Sequence, residues 1–200
     1  MSPHKRAQGR HGSAPPSPWI RRFAPLVRPA GPVLDIACGS GRHTRLFHAL
    51  GHPVTAVDRA PALVAALAGA AGIEPVEADL EAGPWPLPGR LFAGIVVSNY
   101  LFRPLFASLF AALEPGGVLL YETFARGNER FGQPANPDYL LAPGELLERV
   151  RGRLEVVAYE HGIAEHPRRA AVERIVAVNA PSDADGLSPL PPPVPEAPKI

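Results

Sequence analysis

The sequence predicts an α/β protein, a doubly wound and mostly parallel sheet of seven strands whose last strand is antiparallel. Three observations carry this. Val33-Leu34-Asp35-Ile36 is an apolar run leading into a glycine turn, Ala37-Cys38-Gly39-Ser40-Gly41, and then a helix-forming stretch. Further apolar runs at 54–58, 73–77, 92–98 and 118–123 alternate with helical segments, as a parallel sheet requires. Two final runs, 154–159 and 171–178, have no clear helix between them, so they should pair antiparallel.

The elements follow in order. Trp19, Ile20, Phe23 and Leu26 have rough helical spacing after Pro18, which predicts a short helix to Val27. Gly39 and Gly41 lack the Cβ atoms that would hold a ligand off the backbone, and the helix from Arg42 to Leu50 aims free N–H groups at the turn. Gly51-His52-Pro53 links to the second strand, which ends in Asp58. Pro61 to Ala70 is an alanine-rich helix closed by Gly72, and the third strand leads to Asp79. Residues 83–89, Gly-Pro-Trp-Pro-Leu-Pro-Gly, form a stiff loop. The fourth strand ends at Ser98, followed by Asn99 and Tyr100, and a helix runs from Arg103 to about Leu113. The fifth strand ends at Glu122, Thr123 and Phe124. Residues 125–141 are long, irregular and rich in aromatic, amide and charged groups, which suits an ordered lid over the site. A short helix, 143–150, precedes the last two strands.

Asp58 falls about 20 residues after the glycine turn, where a carboxylate binds the hydroxyls of an adenosine ribose. A pyrophosphate-binding turn would need G-x-G-x-x-G, and Thr44 stands where the third glycine would be. Asp35 beside the turn opposes an anion and suits a cation. The ligand that fits best is S-adenosylmethionine, with an ammonium next to a sulfonium.

At these residues the chain resembles the class I S-adenosylmethionine-dependent methyltransferases. Asp35 to Gly41 is similar to the family's D-x-G-x-G-x-G motif, with Ala37 in place of the first glycine. Asp58, Ala78-Asp79-Leu80 and Leu113-Glu114-Pro115-Gly116-Gly117 match later motifs in order. Within the family the chain resembles a small bacterial group related to the tellurite-resistance methyltransferase. The resemblance implies a Rossmann-like methyltransferase fold and a set of cofactor contacts: Asp35, Ala37, Cys38, Gly39, Gly41, Asp58, Arg59, Asp79, Leu80, Ser98 and Asn99. Asp35 would order the turn and hold the ammonium through water. Asp58 would take the ribose hydroxyls, and Asp79 with the Leu80 backbone the adenine. Ser98 and Asn99 would contact the methionine side. Tyr100, Tyr121, Glu122, Asn128 and Glu129 are placed to line the acceptor pocket.

The acceptor itself is not spelled out. Ser98-Asn99-Tyr100 lacks the paired prolines of N-P-P-Y, and no residue is an obvious general base. A small-molecule acceptor is expected, and a thiol or chalcogen anion would need no base. Two alternatives are an RNA methyltransferase using the basic N-terminus and a non-catalytic binder of the cofactor. His161 and His166 have no partners at metal-ligand spacing, so no metal is expected.

Composition bounds the rest. The chain has 200 residues, a net charge of +1 and one cysteine, so no internal disulfide and no strong field for nucleic acid or membrane. No apolar run reaches membrane-spanning length, and prolines interrupt the N-terminus, so the expectation is a cytoplasmic protein. Residues 1–17 read as a basic tail, 18–180 as the methyltransferase domain, and 181–200 as a proline-rich tail. The oligomeric state is open.

Overall fold

In the computed structural model, residues 14–180 are described. The expectations for two tails fall largely on residues 1–13 and 181–200, outside the described residues. Ser17, expected in the first tail, is 6% exposed and belongs to the folded body.

The strands are β1 (Val33–Ile36), β2 (Val54–Asp58), β3 (Ile73–Glu77), β4 (Phe92–Ser98), β5 (Leu113–Phe124), β6 (Glu155–Ala164) and β7 (Ala170–Val178). They form one sheet in the order β3-β2-β1-β4-β5-β7-β6. β1 to β5 run parallel, and β7 is antiparallel to both β5 and β6. The predicted doubly wound sheet with its reversed last strand is therefore what the chain forms. The reversal follows from the short 165–169 connection, too short for a crossover helix.

The helices are α1 (Pro18–Phe23), α2 (Arg42–Ala49), α3 (Pro61–Ala65), α4 (Phe106–Ala111) and α5 (Glu145–Val150). Strand alternation sorts the core into two layers. Leu34, Ile36, Ile95, Val97, Leu119 and Tyr121 face α4 and α5, packing on Phe106, Leu109, Leu146 and Val150. Val33, Val96, Val118 and Leu120 face the other way, against Trp19, Ile20 and Phe23 of α1 and Phe47 of α2.

Several boundaries differ from the sequence reading, among them the sixth strand, which runs on to Ala164. The helix expected over 61–70 stops at Ala65, because Leu67 turns inward to 4% exposure and packs beside Cys38 and Ala56. The helix expected from Arg103 begins as a 3-10 turn, Arg103–Leu105, and becomes α-helical only at Phe106. The Leu-Glu-Pro-Gly-Gly stretch is not a turn before the fifth strand but its first part. Leu113 pairs with Phe92, the register shifts, and pairing resumes at Gly94 and Val118.

The 125–141 segment is ordered by the body of the protein. Ala125 N donates to Ala171 O, Arg126 N to Leu141 O and Leu141 N to Phe124 O. Arg103 holds its far end, donating to Asp138 O and Leu140 O and pairing with Glu145.

Glu173, fully buried on β7, is the anchor for α5. Its carboxylate accepts from Leu146 N at 2.6 Å and Gly144 N at 3.1 Å, satisfying N–H groups that the helix start leaves free. Removing it leaves those donors buried without acceptors. Glu173→Ala should therefore lose about 2 kcal/mol in urea unfolding, while Glu173→Gln, with one acceptor oxygen for two N–H groups, should keep only about half of that.

Candidate functional site

Parallel strands deliver their carboxyl ends to one edge of the sheet, and the candidate site is built there. The turn after β1 climbs through three left-handed residues, Ala37 (φ 51°), Gly39 (φ 57°) and Gly41 (φ 78°). Gly39 is the open one, since a Cβ there would meet nothing within 4 Å. Gly41 is the closed one, since its Cβ would lie 2.6 Å from the Leu67 side chain. Ala37 holds its positive φ despite a Cβ, a conformation that costs about 1–2 kcal/mol for such a residue.

Asp58 at the tip of β2 locks this turn. Its Oδ2 accepts from Gly39 N at 2.9 Å and its Oδ1 from Ala60 N at 3.0 Å. Beside it opens a shallow hollow lined by Ala37, Asp58, Arg59, Ala78, Asp79, Leu80, Glu81 and Tyr100. The structure thus brings six of the sequence-derived residues, Ala37, Asp58, Arg59, Asp79, Leu80 and Tyr100, around one space. Three carboxylates and one guanidinium give it a net negative lining. Arg59 stands 4.0 Å from Asp79, with both side chains more than a third exposed. Burial, with Glu81 and Asp79 nearby, pushes the Tyr100 hydroxyl well above its ordinary pKa.

Other candidate residues lie elsewhere. Asp35 does not reach the hollow. Alternation along β1 turns it under α2, where it is 2% exposed and accepts from Thr44 Oγ1 at 2.6 Å. Burial raises its pKa to about 6. Cys38 is buried, its N–H bonds Val57 O, and burial pushes the thiol up. Tyr121 sits in the core, stacked on Phe106 at 5.4 Å with its hydroxyl donating to Tyr100 O. Asn128 is fully buried and pins its own loop through Pro134 O. Glu129 accepts from Gly127 N in the same loop. None of these three lines the hollow. Asn99 follows β4 with φ 56°, and its N–H bonds Glu122 O.

A second polar cluster lies on the α1 side of the β4 and β5 tips and takes two of the sequence-derived residues, Ser98 and Glu122, away from the hollow. Glu122 Oε2 accepts from Ser17 Oγ at 2.8 Å and Oε1 from Ser98 Oγ at 2.9 Å, with Arg174 Nε 3.4 Å away. Arg42 donates to Ser98 Oγ at 2.9 Å. Ser17 also caps α1, and its N–H donates to His43 Nε2 at 3.1 Å. Ser98 and Glu122 are marked in the sequence as strand-end candidates, and Ser17 before Pro18 is a helix-start pattern. Nothing local marks Glu122, 105 residues away, as its partner.

Among the described residues no group of three or more His, Cys, Asp or Glu side chains is placed to hold a metal. No helix among them is long and apolar enough to cross a membrane.

This strand order, the closing antiparallel hairpin and a glycine turn bonded to an acidic second strand define the class I methyltransferase fold. Residues 33–117 match the family described as "Methyltransferase domain". A malonyl-[acyl-carrier protein] O-methyltransferase of Serratia marcescens is 33% identical over 104 residues, 50% of this chain and 41% of that protein. The chain thus spans about two fifths of that relative's length. The structure of TehB from Haemophilus influenzae shares the fold, with TM-score 0.66 and 20% identity, over 78% of this chain and 59% of that one. The glycopeptide N-methyltransferase MtfA complexed with S-adenosyl-L-methionine gives TM-score 0.58 at 27% identity, over 80% of this chain and 92% of that one.

His43 generates a pH prediction. Its pKa is lowered to about 3 from 6.5, mainly by burial and then by Arg42. The folded ring accepts the Ser17 N–H bond, so it must be neutral on Nε2. Between those two pKa values the unfolded chain binds the extra proton, so His43 loses its stabilising contribution as pH falls. Asp35, raised to about 6 from 3.8, acts with the opposite sign over much of that range. The stability difference, wild type minus His43→Gln, should therefore shrink as thermal melts are run from about pH 7 down to about pH 4.

Proposed function

We propose that this protein is an S-adenosylmethionine-dependent methyltransferase acting on a small-molecule acceptor, with its catalytic domain over residues 18–180. The observation that carries the reading is the Gly39 N–H bond to Asp58 beside an acidic hollow. The residues fit the cofactor. Gly39 leaves the backbone open, and the Asp58 and Asp79 carboxylates suit the hydroxyl and amino hydrogens of an adenosine. The MtfA structure with S-adenosyl-L-methionine bound supports the same ligand.

When bound, the cofactor supplies an electrophilic methyl group. Asp58 is the residue placed to hold the ribose, and Asp79 with the Leu80 backbone the adenine. Gly39 and Gly41 shape the turn against the methionine part, with Ser98 and Asn99 beyond it. The protein's task is then alignment and exclusion of water, and alignment is worth about 7–11 kcal/mol in favourable cases.

Glu122 is tied to Ser17, Ser98 and Arg174, and Tyr100 resists ionisation. Neither is a ready general base, which supports an acceptor that is already nucleophilic, such as a thiolate, a chalcogen anion or a carboxylate. The Serratia relative is by name an O-methyltransferase acting on a malonyl group, in keeping with the last of these. A cytoplasmic setting belongs to this reading, in keeping with a single, buried cysteine.

Titration calorimetry of the full chain with S-adenosylmethionine tests it. Saturable binding is expected, weakened by about 10- to 150-fold in Asp58→Ala, the range of a charge-assisted hydrogen bond. No heat with folded protein, or unchanged binding in the variant, would remove the basis of the reading. Cofactor binding without product from any thiol, chalcogenide or carboxylate acceptor would leave a non-catalytic binder instead.

A further inference from the structure

The carboxyl edge of the sheet is electrically divided. Its β2–β3 end carries Asp58, Asp79 and Glu81 around the hollow. Its β5–β7 end carries four exposed arginines, Arg126 and Arg130 on the loop after β5, Arg168 and Arg169 on the turn before β7. The register brings these two segments together, since Phe124 pairs with Val172. Three exposed carboxylates lie on the same segments, Glu129, Asp138 and Glu165, with Asp138 at the far end of the loop. Glu129 accepts from Gly127 N, and Glu165 is 3.3 Å from Arg169.

Three of these arginines lie against aromatic rings. The Phe131 ring carries two guanidinium groups, Arg130 at 5.5 Å and Arg169 at 5.3 Å from its centroid. Arg168 lies 5.0 Å over the Phe124 ring and donates to Gln133 O at 2.7 Å. Ring contacts fix the guanidinium planes, so less rotamer freedom is lost when an anion is gripped. A planar fork of donors matches the oxygens of a phosphate in two-point contacts. One strand separates this rim from Ser98 and Asn99.

We propose that the Arg130–Arg168–Arg169 rim binds the anionic end of the acceptor, a small molecule bearing a phosphate group, while the acidic end of the same edge takes the cationic cofactor. The assignment rests on the methyltransferase reading above and adds the acceptor's charge class to it.

The test is calorimetric titration of the full chain with inorganic pyrophosphate and, separately, with S-adenosylmethionine. Wild type should bind pyrophosphate saturably, and more weakly as salt rises from about 20 to about 200 mM. The triple variant Arg130→Ser, Arg168→Ser, Arg169→Ser should lose at least about tenfold in pyrophosphate affinity and keep its cofactor heat. The triple Arg→Lys variant keeps charge and stems but not the planar fork, and should fall between the two. It also decides the matter if the serine variant fails to fold. No saturable pyrophosphate binding by wild type, or equal affinity in wild type and both variants, would overturn the proposal. So would a short single-stranded RNA bound far more tightly than pyrophosphate and released by the same substitutions, which would make the rim a nucleic-acid surface. Loss of cofactor heat in wild type, with pyrophosphate binding intact, would instead strike the methyltransferase reading and leave the anion site standing.

Discussion

The hydrogen bond from Gly39 N–H to Asp58 Oδ2 joins two things that parallel pairing alone leaves separate. Parallel strands bring the β1 turn and the β2 tip to the same edge, but the turn could still point anywhere. Asp58 fixes it. With Oδ1 on Ala60 N, the same carboxylate also fixes the chain leaving β2. The carboxylate is 2% exposed, so its two N–H partners answer the cost of burying a charge. The open backbone face at Gly39, the start of α2 and the hollow beside Asp79 all take their positions from that lock. Ala37 accepts a strained φ within it, as strained residues do when their surroundings over-determine them.

Strand alternation explains why two polar sites exist at one edge instead of one. On β1, Asp35 turns under α2 while Leu34 and Ile36 face α4 and α5. On β5, Tyr121 enters the α4–α5 core and Glu122 turns toward α1. The side chains that follow the glycine turn therefore split between an open acidic hollow and a closed cluster tied by Ser17, Ser98, Arg42 and Arg174. The closed cluster docks the N-terminus of α1 onto both α2 and β5 through one residue, Ser17.

The fold was legible in the sequence because its signals are local: apolar runs, a glycine turn, and a last connection too short for a helix. Asp58, Asp79, Leu80 and Tyr100 were legible as neighbours because each ends or follows a parallel strand, and parallel strands end together. The contact of Asp35 with Thr44 was not legible, because the facing of a strand-end side chain depends on register with a helix, and Thr44 lies on that helix. The contacts of Tyr121 and Asn128 were not legible for a related reason, since aromatic and amide groups near a strand end serve a core or a loop as readily as a pocket. The Ser17–Glu122 and Ser17–His43 pairs were invisible, because separations of 105 and 26 residues leave no local periodicity. The length of the third helix failed on propensity. Alanine favours a helix, but burying Leu67 against Cys38 and Ala56 outweighed it.

Charge sorting along the edge bears on the chemistry. A cation brought into an acidic hollow and an anion held at a basic rim approach one another from opposite ends of the same line of strand tips. Between them stands Glu122, 7% exposed, with Ser17 and Ser98 hydroxyls on its two oxygens and Arg174 beside it. A carboxylate held in this way is poorly disposed to collect a proton from an acceptor, since protonation would weaken three contacts at once. It serves better as a fixed strut that keeps α1, β4 and β5 in register while the reacting groups meet. On the proposed arrangement the acceptor would arrive with its own nucleophile, and the protein's contribution would reduce to where each charge is held.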